Sequence, residues 1–142
     1  MTGTEGQAQE FLFDWIQYQL GKYPELKLLY HIPNGGKREA ATARVLKRQG
    51  VKAGVPDLHL PVARGGYHGL YIELKVGKNK ATEYQKEWLE NLTKQGYYAT
   101  VCYGWQAAAE ELINYLQLGT LKDAMAAGAN YINQELLQPA TN

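Results

Sequence analysis

Residues 54–75 read GVPDLHLPVARGGYHGLYIELK, and this stretch contains the clearest strand and turn signals of the chain. Over residues 70–75 apolar and polar residues alternate, which places Glu73 and Lys75 together on one face of a β-strand. If residues 58–61 pair with this strand through a turn at Gly65-Gly66, Asp57 comes close to Glu73. The stretch therefore predicts a β-hairpin that brings two carboxylates and a lysine to one spot.

Composition indicates an ordinary globular protein. The chain has 142 residues, of which 45% are hydrophobic and 20% are charged, and this excludes the disordered and fibrous classes. A chain of this length predicts a single domain that buries about two thirds of its unfolded surface. Since neither a targeting segment nor an apolar run long enough to span a membrane is recognisable, we expect a cytoplasmic protein, in the host-cell cytoplasm if a phage encodes it.

Several common catalytic chemistries have no support in the sequence. The chain contains no serine, which excludes a Ser/His/Asp hydrolase. Cys102 lies in an apolar run and is expected to be a buried small hydrophobe. His31 and His68 have no partner at a zinc-ligand spacing. His59 shares a strand face with Asp57, and we interpret it as a polar strand residue.

The remaining elements follow from periodicity and from breaking residues. A capping box of Thr82 and Gln85 starts one helix, and Gly21 and Gly50 follow two others. The order of elements indicates an α/β fold: a small mixed β-sheet flanked by helices. The predicted elements are a helix over 4–20, a strand over 26–32, a helix over 37–49, the hairpin, a helix from 82 to Gly96, a strand over 97–103, a helix over 105–116 and a weakly patterned helix over 121–137.

Positive charge is concentrated between residues 31 and 56, although the net charge is only +1. This segment has one acidic residue, Glu39, and it is a candidate surface for phosphate contacts. The alternative is a solvated helix face without a ligand. Its basic residues are Lys37, Arg38, Arg44, Lys47, Arg48 and Lys52.

The two carboxylates and the lysine fit the needs of phosphodiester hydrolysis. Mg²⁺ prefers oxygen ligands and is commonly held by one or two carboxylates, which Asp57 and Glu73 supply. A bound cation acidifies water and polarises phosphate. Lys75 would orient the attacking water, accept its proton or stabilise the transition state, and the sequence does not choose among these roles.

A short triplet such as Glu-Leu-Lys is weak evidence when it stands alone. The chain repeats it at Glu25-Leu26-Lys27, where no alternating strand precedes it and the charges are expected to face solvent. If Asp57, Glu73 and Lys75 were equally unrelated, they would be surface charges without a function.

A longer resemblance supports the metal-site interpretation. Residues 54–108, together with His31-Ile32-Pro33-Asn34-Gly35-Gly36 upstream, resemble the VRR-NUC family, a branch of the PD-(D/E)xK nuclease superfamily. The features that match are the Asn-Gly loop, Gly-x-Pro-Asp, a hairpin, Ile-Glu-Leu-Lys, a basic loop, a helix with an early glutamine, and Gly-Tyr before an apolar strand. Together they cover residues 5–110, and the resemblance implies a restriction-endonuclease-like fold.

The resemblance also implies roles for individual residues. Asp57 and Glu73 would be metal ligands with the Leu74 carbonyl completing the shell, and Lys75 would be the catalytic lysine. Gln85 matches the glutamine of the following helix, although a capping role alone also explains it. For the glutamate of the first helix, Glu5 is the better match and Glu10 is the alternative. The implied DNA-binding residues are Asn34, Gly35, Gly36, Lys37, Arg38, Arg44, Lys47, Arg48, Lys52, Lys78 and Lys80.

The resulting expectation is a DNA endonuclease that depends on Mg²⁺ or Mn²⁺. Standalone members of phage or bacterial type are similar to Holliday junction resolvases, which implies a homodimer acting on branched DNA. The alternatives are a flap, nicking or restriction-type nuclease with the same site, and a nucleic-acid-binding module in which the carboxylates are structural. We assign residues 1–118 to the nuclease domain and 119–142 to a helical C-terminal extension.

Overall fold

The computed structural model describes residues 3–33, 39–120, 122, 123, 125 and 126. Within these ranges the chain forms one four-stranded sheet with helices packed around it. The helices are α1 (Glu5–Gln19), α2 (Ala40–Arg48), α3 (Glu83–Lys94) and α4 (Trp105–Leu116), with a 3₁₀ helix at Pro24–Leu28, and the strands are β1 (Tyr30–His31), β2 (Leu58–Leu60), β3 (Leu70–Lys75) and β4 (Tyr98–Tyr103).

The predicted hairpin is confirmed in its register. β2 runs antiparallel to β3, with Leu58 opposite Ile72 and Leu60 opposite Leu70. The chain reverses at Gly65-Gly66, both of which have positive φ, as the tight turns of hairpins require. Because every second residue points to the same face, this register puts apolar side chains on one side of the sheet and polar side chains on the other.

The second half of the chain forms a β-α-β unit. β4 lies parallel to β3, so the intervening segment must cross over the sheet, and α3 is that crossover. Thr82 caps α3, with its hydroxyl accepting from the Gln85 N–H and the Gln85 side chain accepting from the Thr82 N–H. The predicted capping box is confirmed, and it fixes the first turn of α3 near the end of β3.

The core lies between the apolar face of the sheet and the pair α1 and α4. Both helices pack against β3 and against each other, and each buries one stripe of apolar residues at helical spacing. Tyr115 is buried in α4 and donates a hydrogen bond to the Val62 carbonyl at 2.6 Å. The buried side chains include Leu12, Ile16, Leu58, Leu60, Leu70, Ile72, Leu74 and Leu112.

The strand predicted over residues 26–32 is mostly wrong. Residues 24–28 form a 3₁₀ helix and only Tyr30–His31 are extended. Pro24 stands in its first turn, where a fixed φ favours a helical start. Leu26 and Leu29 are both buried, and their spacing of three residues suits a 3₁₀ turn rather than a strand.

The small mixed sheet flanked by helices is confirmed, and the other predicted elements are present with shifted ends. Of the described helices, none has the length and apolar character needed to cross a membrane. In the C-terminal extension, the Gly65 N–H donates to the Gly119 carbonyl at 2.8 Å. Most of the helix predicted over 121–137 lies outside the described residues, as do Asn34, Gly35, Gly36, Lys37 and Arg38.

Candidate functional site

The polar face of β3 buries an acid and a base side by side. Glu73 is 1% exposed and Lys75 is 6% exposed, although both belong to residue types that are almost never buried without a partner. The Lys75 Nζ lies 3.6 Å from the Glu73 Oε1. Burial of such a pair is costly and contributes little to stability, so its presence indicates a chemical role.

Asp57 is held at the entrance of β2 by its backbone and by its side chain. The Ile32 N–H donates to the Asp57 carbonyl at 2.7 Å, and the His31 Nδ1 lies 3.0 Å from the same oxygen. The Leu74 N–H donates to the Asp57 Oδ2 at 2.8 Å. The carboxylate of Asp57 is therefore fixed against the backbone that joins Glu73 to Lys75.

The surroundings of Glu73 favour its protonated form. Burial and the neighbouring Asp57 carboxylate raise the pKa of Glu73 to about 8, and the nearby Lys75 opposes the rise. The Glu73 Oε2 is buried and has no hydrogen-bond partner among the described residues. The Glu73 Oε1 accepts from Gln85, and a side-chain hydrogen bond with Asp57 also contributes to the raised pKa of Glu73.

Gln85 caps α3 and also contacts Glu73. Its Oε1 accepts from the Thr82 N–H at 2.8 Å, as a capping residue does. Its Nε2 donates to the Glu73 Oε1 at 2.8 Å. The cap of α3 therefore also orients the Glu73 carboxylate.

The geometry separates the two candidate glutamates of α1. The Glu5 Oε1 lies 3.9 Å from the Lys75 Nζ and accepts from the Asn79 Nδ2 at 3.2 Å. Glu10 is exposed on α1 and has no contact with the cluster within the described part of the chain. Glu5 is the glutamate that the structure brings to Lys75.

The donor set fits a hard divalent cation. Asp57 and Glu73 present two carboxylates, and Leu74 follows Glu73 near the C-terminal end of β3 and donates its N–H to Asp57. Among the described residues, no group of three or more His, Cys, Asp or Glu side chains is placed to hold a metal ion. The Glu73 oxygen without a donor and a set of two carboxylates match the needs of Mg²⁺, which retains several waters.

The predicted DNA-binding lysines and arginines that the structure describes are all exposed. Lys78 and Lys80 are exposed in the loop after β3, and Lys52 is exposed before Asp57. α2 has no buried residue, and even its Val45 is 47% exposed. Because α2 contributes no buried side chain to the core, its exposed Arg44, Lys47 and Arg48 are available for contacts with a ligand.

A row of aromatic rings continues from the carboxylates across the polar face of the sheet. His59 stacks on Tyr71 with ring centroids 4.1 Å apart, and its Nδ1 lies 2.7 Å from the Tyr30 hydroxyl. Burial lowers the pKa of His59. His59 therefore links β1, β2 and β3 through Tyr30 and Tyr71, in agreement with its interpretation as a polar strand residue.

The loop that leads into Asp57 is held against α3. The Trp88 Nε1 donates to the Ala53 carbonyl at 3.0 Å. Gly54 has a φ of +88°, and a Cβ there would lie 2.6 Å from the Tyr84 carbonyl carbon. Only glycine accommodates both that φ and that approach, so Gly54 lets the loop pass directly under α3.

We expect Gly54→Ala to lose at least about 1 kcal/mol of stability from its left-handed φ alone, together with a further loss from the contact with Tyr84. Because the displaced loop carries Asp57, cleavage activity should fall as well. Gly50→Ala is the matched control: Gly50 has a φ of +99°, and nothing lies within 4 Å of its added Cβ. Thermal unfolding and cleavage assays on both variants check this, and equal effects would show that the Tyr84 contact has no importance.

Two supporting residues were missed from the sequence. Asn79 donates to Glu5, and His31 contacts the carbonyl of Asp57, but neither belongs to a motif that predicts it. His31 lies near Asp57 because β1 pairs with β2. No local sequence signal specifies that pairing.

Two other expectations from the sequence agree with the structure. Glu25, in the repeated Glu-Leu-Lys triplet, lies 3.6 Å from Arg64 in a partly exposed ion pair, away from the carboxylate cluster. Cys102 is buried, and burial raises the pKa of its thiol to about 12, which excludes a reactive thiolate.

Comparisons with known proteins agree on one family. The model of the VRR-NUC domain matches residues 3–106. A solved structure described as a VRR_NUC domain protein is 39% identical, with a TM-score of 0.73 over 83% of this chain and 92% of the other. No curated protein matches the chain.

Proposed function

The chain belongs to the VRR-NUC domain family, whose domain implies a nuclease-type function, and from this premise we propose that it is an endonuclease that hydrolyses DNA phosphodiester bonds with Mg²⁺ or Mn²⁺. The observation that carries the proposal is the contact of buried Glu73 with buried Lys75 beside Asp57. Such a cluster is costly for the fold, and it can stabilise the charge that develops on a phosphate during hydrolysis.

In this proposal Asp57, Glu73 and the Leu74 carbonyl hold the cation. When bound, the cation supplies an acidified water and neutralises charge on the phosphate. The Leu74 N–H keeps the Asp57 carboxylate turned toward the cluster. Gln85 keeps Glu73 in one orientation by donating to its Oε1, so the Oε2 would be the oxygen that binds the cation.

Lys75 is proposed to act on the attacking water or on a phosphate oxygen. Its Nζ lies between the carboxylates of Glu73 and Glu5, at 3.6 and 3.9 Å, which fixes a long flexible side chain in one direction. A lysine held in this way is a point charge with donors available for a phosphate. Glu5 is then a positioning residue, itself held by Asn79.

The exposed basic residues would bind the DNA backbone. Phosphate contacts position a duplex without reading its sequence, so this surface fits recognition of DNA shape. Residues 34–38 lie outside the described residues and remain part of the proposal. The proposed phosphate contacts are Asn34, Gly35, Gly36, Lys37, Arg38, Arg44, Lys47, Arg48, Lys52, Lys78 and Lys80.

Branched DNA such as a Holliday junction is the proposed substrate, and a homodimer is the proposed active species. Symmetric cuts on two strands of a junction require two sites related by a twofold axis. β4 is one of the two edge strands of the sheet, and most of its residues are only half-buried. An uncovered edge strand invites pairing with another chain, which supports a dimer. We propose that the enzyme acts in the cytoplasm, that of the host if a phage encodes it.

One cleavage experiment tests the proposal. A four-way junction, a flap and a linear duplex of equal length are incubated with the protein and Mg²⁺ or Mn²⁺, and size-exclusion chromatography with light scattering gives the oligomeric state. Paired symmetric nicks on the junction are expected. Preference for the flap would contradict the junction assignment, and absence of metal-dependent cleavage of every substrate would contradict the nuclease assignment.

Cation binding should strengthen with pH. The raised pKa of Glu73 means that most molecules carry its proton at about pH 6, and a cation must displace that proton. The apparent affinity for Mg²⁺ or Mn²⁺ should therefore rise about tenfold per pH unit up to about pH 8 and then level off.

Metal-induced shifts in melting temperature at several pH values measure this effect. Glu10→Gln, which changes an exposed acid of the same helix as Glu5, should leave the pH dependence unaltered. A shift in melting temperature of equal size at pH 6 and pH 8 would contradict Glu73 as the titrating ligand.

A further inference from the structure

A cavity of about 390 Å³ opens beside the carboxylate cluster. Its size lies in the range of pockets that enclose small molecules. The cavity, called here the aromatic pocket, is lined by Thr4, Gln7, Phe11, Tyr103 and Trp105 and by the backbone around Gly77 and Gly104. None of its lining side chains is charged.

The aromatic pocket adjoins the catalytic cluster through the backbone. Thr4 precedes Glu5, and Val76 and Gly77 in its wall follow Lys75 directly. The Gly104 N–H donates to the Lys75 carbonyl at 2.8 Å. A strand of DNA with its phosphate at Lys75 would therefore have its neighbouring nucleotide at this pocket.

Two aromatic rings of the pocket are exposed, and packing of the core does not explain their positions. α1 buries its stripe of Ala8, Leu12 and Ile16, whereas Phe11 lies off that stripe and is 57% exposed. Tyr103, the last residue of β4, is 49% exposed. Exposed rings around a concave neutral surface suit stacking with a flat aromatic ligand.

The same pocket offers donors for a phosphate group. Among the described residues, no side chain caps the N-terminus of α4, whose N-cap is Gly104. The first N–H groups of any helix have no intrahelical acceptor and carry partial positive charge. In α4 no side chain of the described residues takes the place of that acceptor. Lys78 and Lys80 follow Gly77 in the same loop and are exposed. Their positive charge near the pocket complements the phosphate of a nucleotide.

We propose that the aromatic pocket binds an unpaired nucleobase of the DNA strand next to the scissile phosphate. A base in a duplex is paired and stacked and cannot enter a concave site without leaving the helix. The pocket thereby gives a preference for frayed or branched DNA over a linear duplex. This inference rests on the proposed nuclease function, because that function supplies the scissile phosphate.

The test is DNA binding by fluorescence anisotropy without divalent metal, so that no cleavage occurs. A forked duplex with unpaired strands and a fully paired duplex of equal length are compared, using Tyr103→Ala and Phe11→Ala. Loss of one base–ring stack should weaken fork binding about tenfold and leave duplex binding unchanged. Tyr18→Ala is the matched control, since Tyr18 lies on α1 and is 86% exposed.

Tryptophan fluorescence gives a second measurement. Forked DNA should quench emission of the wild type more than that of Trp105→Phe, which keeps an aromatic ring in the wall and removes the fluorophore that a bound base would contact. Undiminished quenching in Trp105→Phe, wild-type fork affinity in both alanine variants, or equal weakening toward the duplex would each overturn the inference.

Cleavage in Mg²⁺ or Mn²⁺ separates this inference from the nuclease proposal. If the wild type cleaves DNA and both Tyr103→Ala and Phe11→Ala bind the fork normally, the pocket assignment is wrong and the nuclease assignment stands. If the wild type cleaves nothing, the nuclease assignment is wrong, whatever Tyr103 contributes to fork binding.

Discussion

Replacing Lys75 by methionine is expected to lower the rate of DNA cleavage by about 10²–10⁴-fold, the range for loss of a group that moves a proton or stabilises charge in the transition state. Methionine keeps most of the buried volume and removes the ammonium group. The fold should persist, because loss of the Lys75 charge favours the neutral form of Glu73 still further. Initial rates on a junction substrate in Mg²⁺, with melting curves of both proteins, measure the effect.

The chain contains its own control for this experiment. Lys27 ends the repeated Glu-Leu-Lys triplet but is exposed in the 3₁₀ helix. The Lys27→Met variant should cleave DNA at the rate of the wild type. If Lys75→Met cleaves within a few-fold of Lys27→Met, the ammonium of Lys75 takes no part in the reaction.

Replacing Glu73 by glutamine should separate folding from catalysis. Glutamine has the same shape, and its side-chain oxygen can still accept from the Gln85 Nε2. It cannot supply a carboxylate, so the metal-induced rise in melting temperature should disappear and cleavage should fall by at least about a hundredfold, since each 1.36 kcal/mol of lost charge stabilisation is tenfold in rate. Cleavage rates and melting curves with and without Mg²⁺ check both effects.

The same variant should be the more stable protein in alkaline solution without metal. An ordinary glutamate loses its proton near pH 4.5, whereas folded Glu73 keeps it to about pH 8. The folded state binds more protons in this interval, so the favourable contribution of Glu73 is complete below pH 4.5 and is lost as pH rises to about 8. Glu73→Gln has no such proton and avoids the loss.

Urea unfolding at pH 5 and pH 8 measures this difference in stability. The advantage of Glu73→Gln over the wild type should grow between the two pH values. Glu25→Gln, in the repeated triplet, should show no such growth. A constant difference would mean that the Glu73 carboxyl group ionises at an ordinary pH.

The sequence predicted the hairpin and the contents of its polar face because both depend on local alternation. Once Leu58 is opposite Ile72, the period of two forces Asp57, Glu73 and Lys75 to the same side. The capping box at Thr82 could also be predicted, because it depends only on residues 82–85. The contact of Gln85 with Glu73 could not be predicted in this way, because it requires the crossover of α3 that brings the start of the helix over β3.

The parts that the sequence did not predict depend on long-range placement. The sequence predicts a strand before β1, but a Leu-rich run is compatible with a strand and with a helix. The burial of both Leu26 and Leu29, three residues apart, favours the 3₁₀ helix that is observed. The aromatic pocket is formed by α1, the loop after β3, the end of β4 and the start of α4, and several of these are distant in the chain. The contact of Asn79 with Glu5 has the same origin, since neither residue has a local reason to meet the other.

The central position of β3 has a consequence for synthesis of the protein. Asp57, Glu73 and Lys75 emerge from the ribosome before β4 and α4 emerge, yet β3 needs β4 as its neighbour and α4 over its apolar face. Because chains emerge from the N-terminus, a nascent chain cannot complete the acidic cluster until the residues of α4 are exposed. Chains that end before β4 and α4 therefore lack the neighbours that hold Glu73 and Lys75 in place, and the cluster is assembled only late in synthesis.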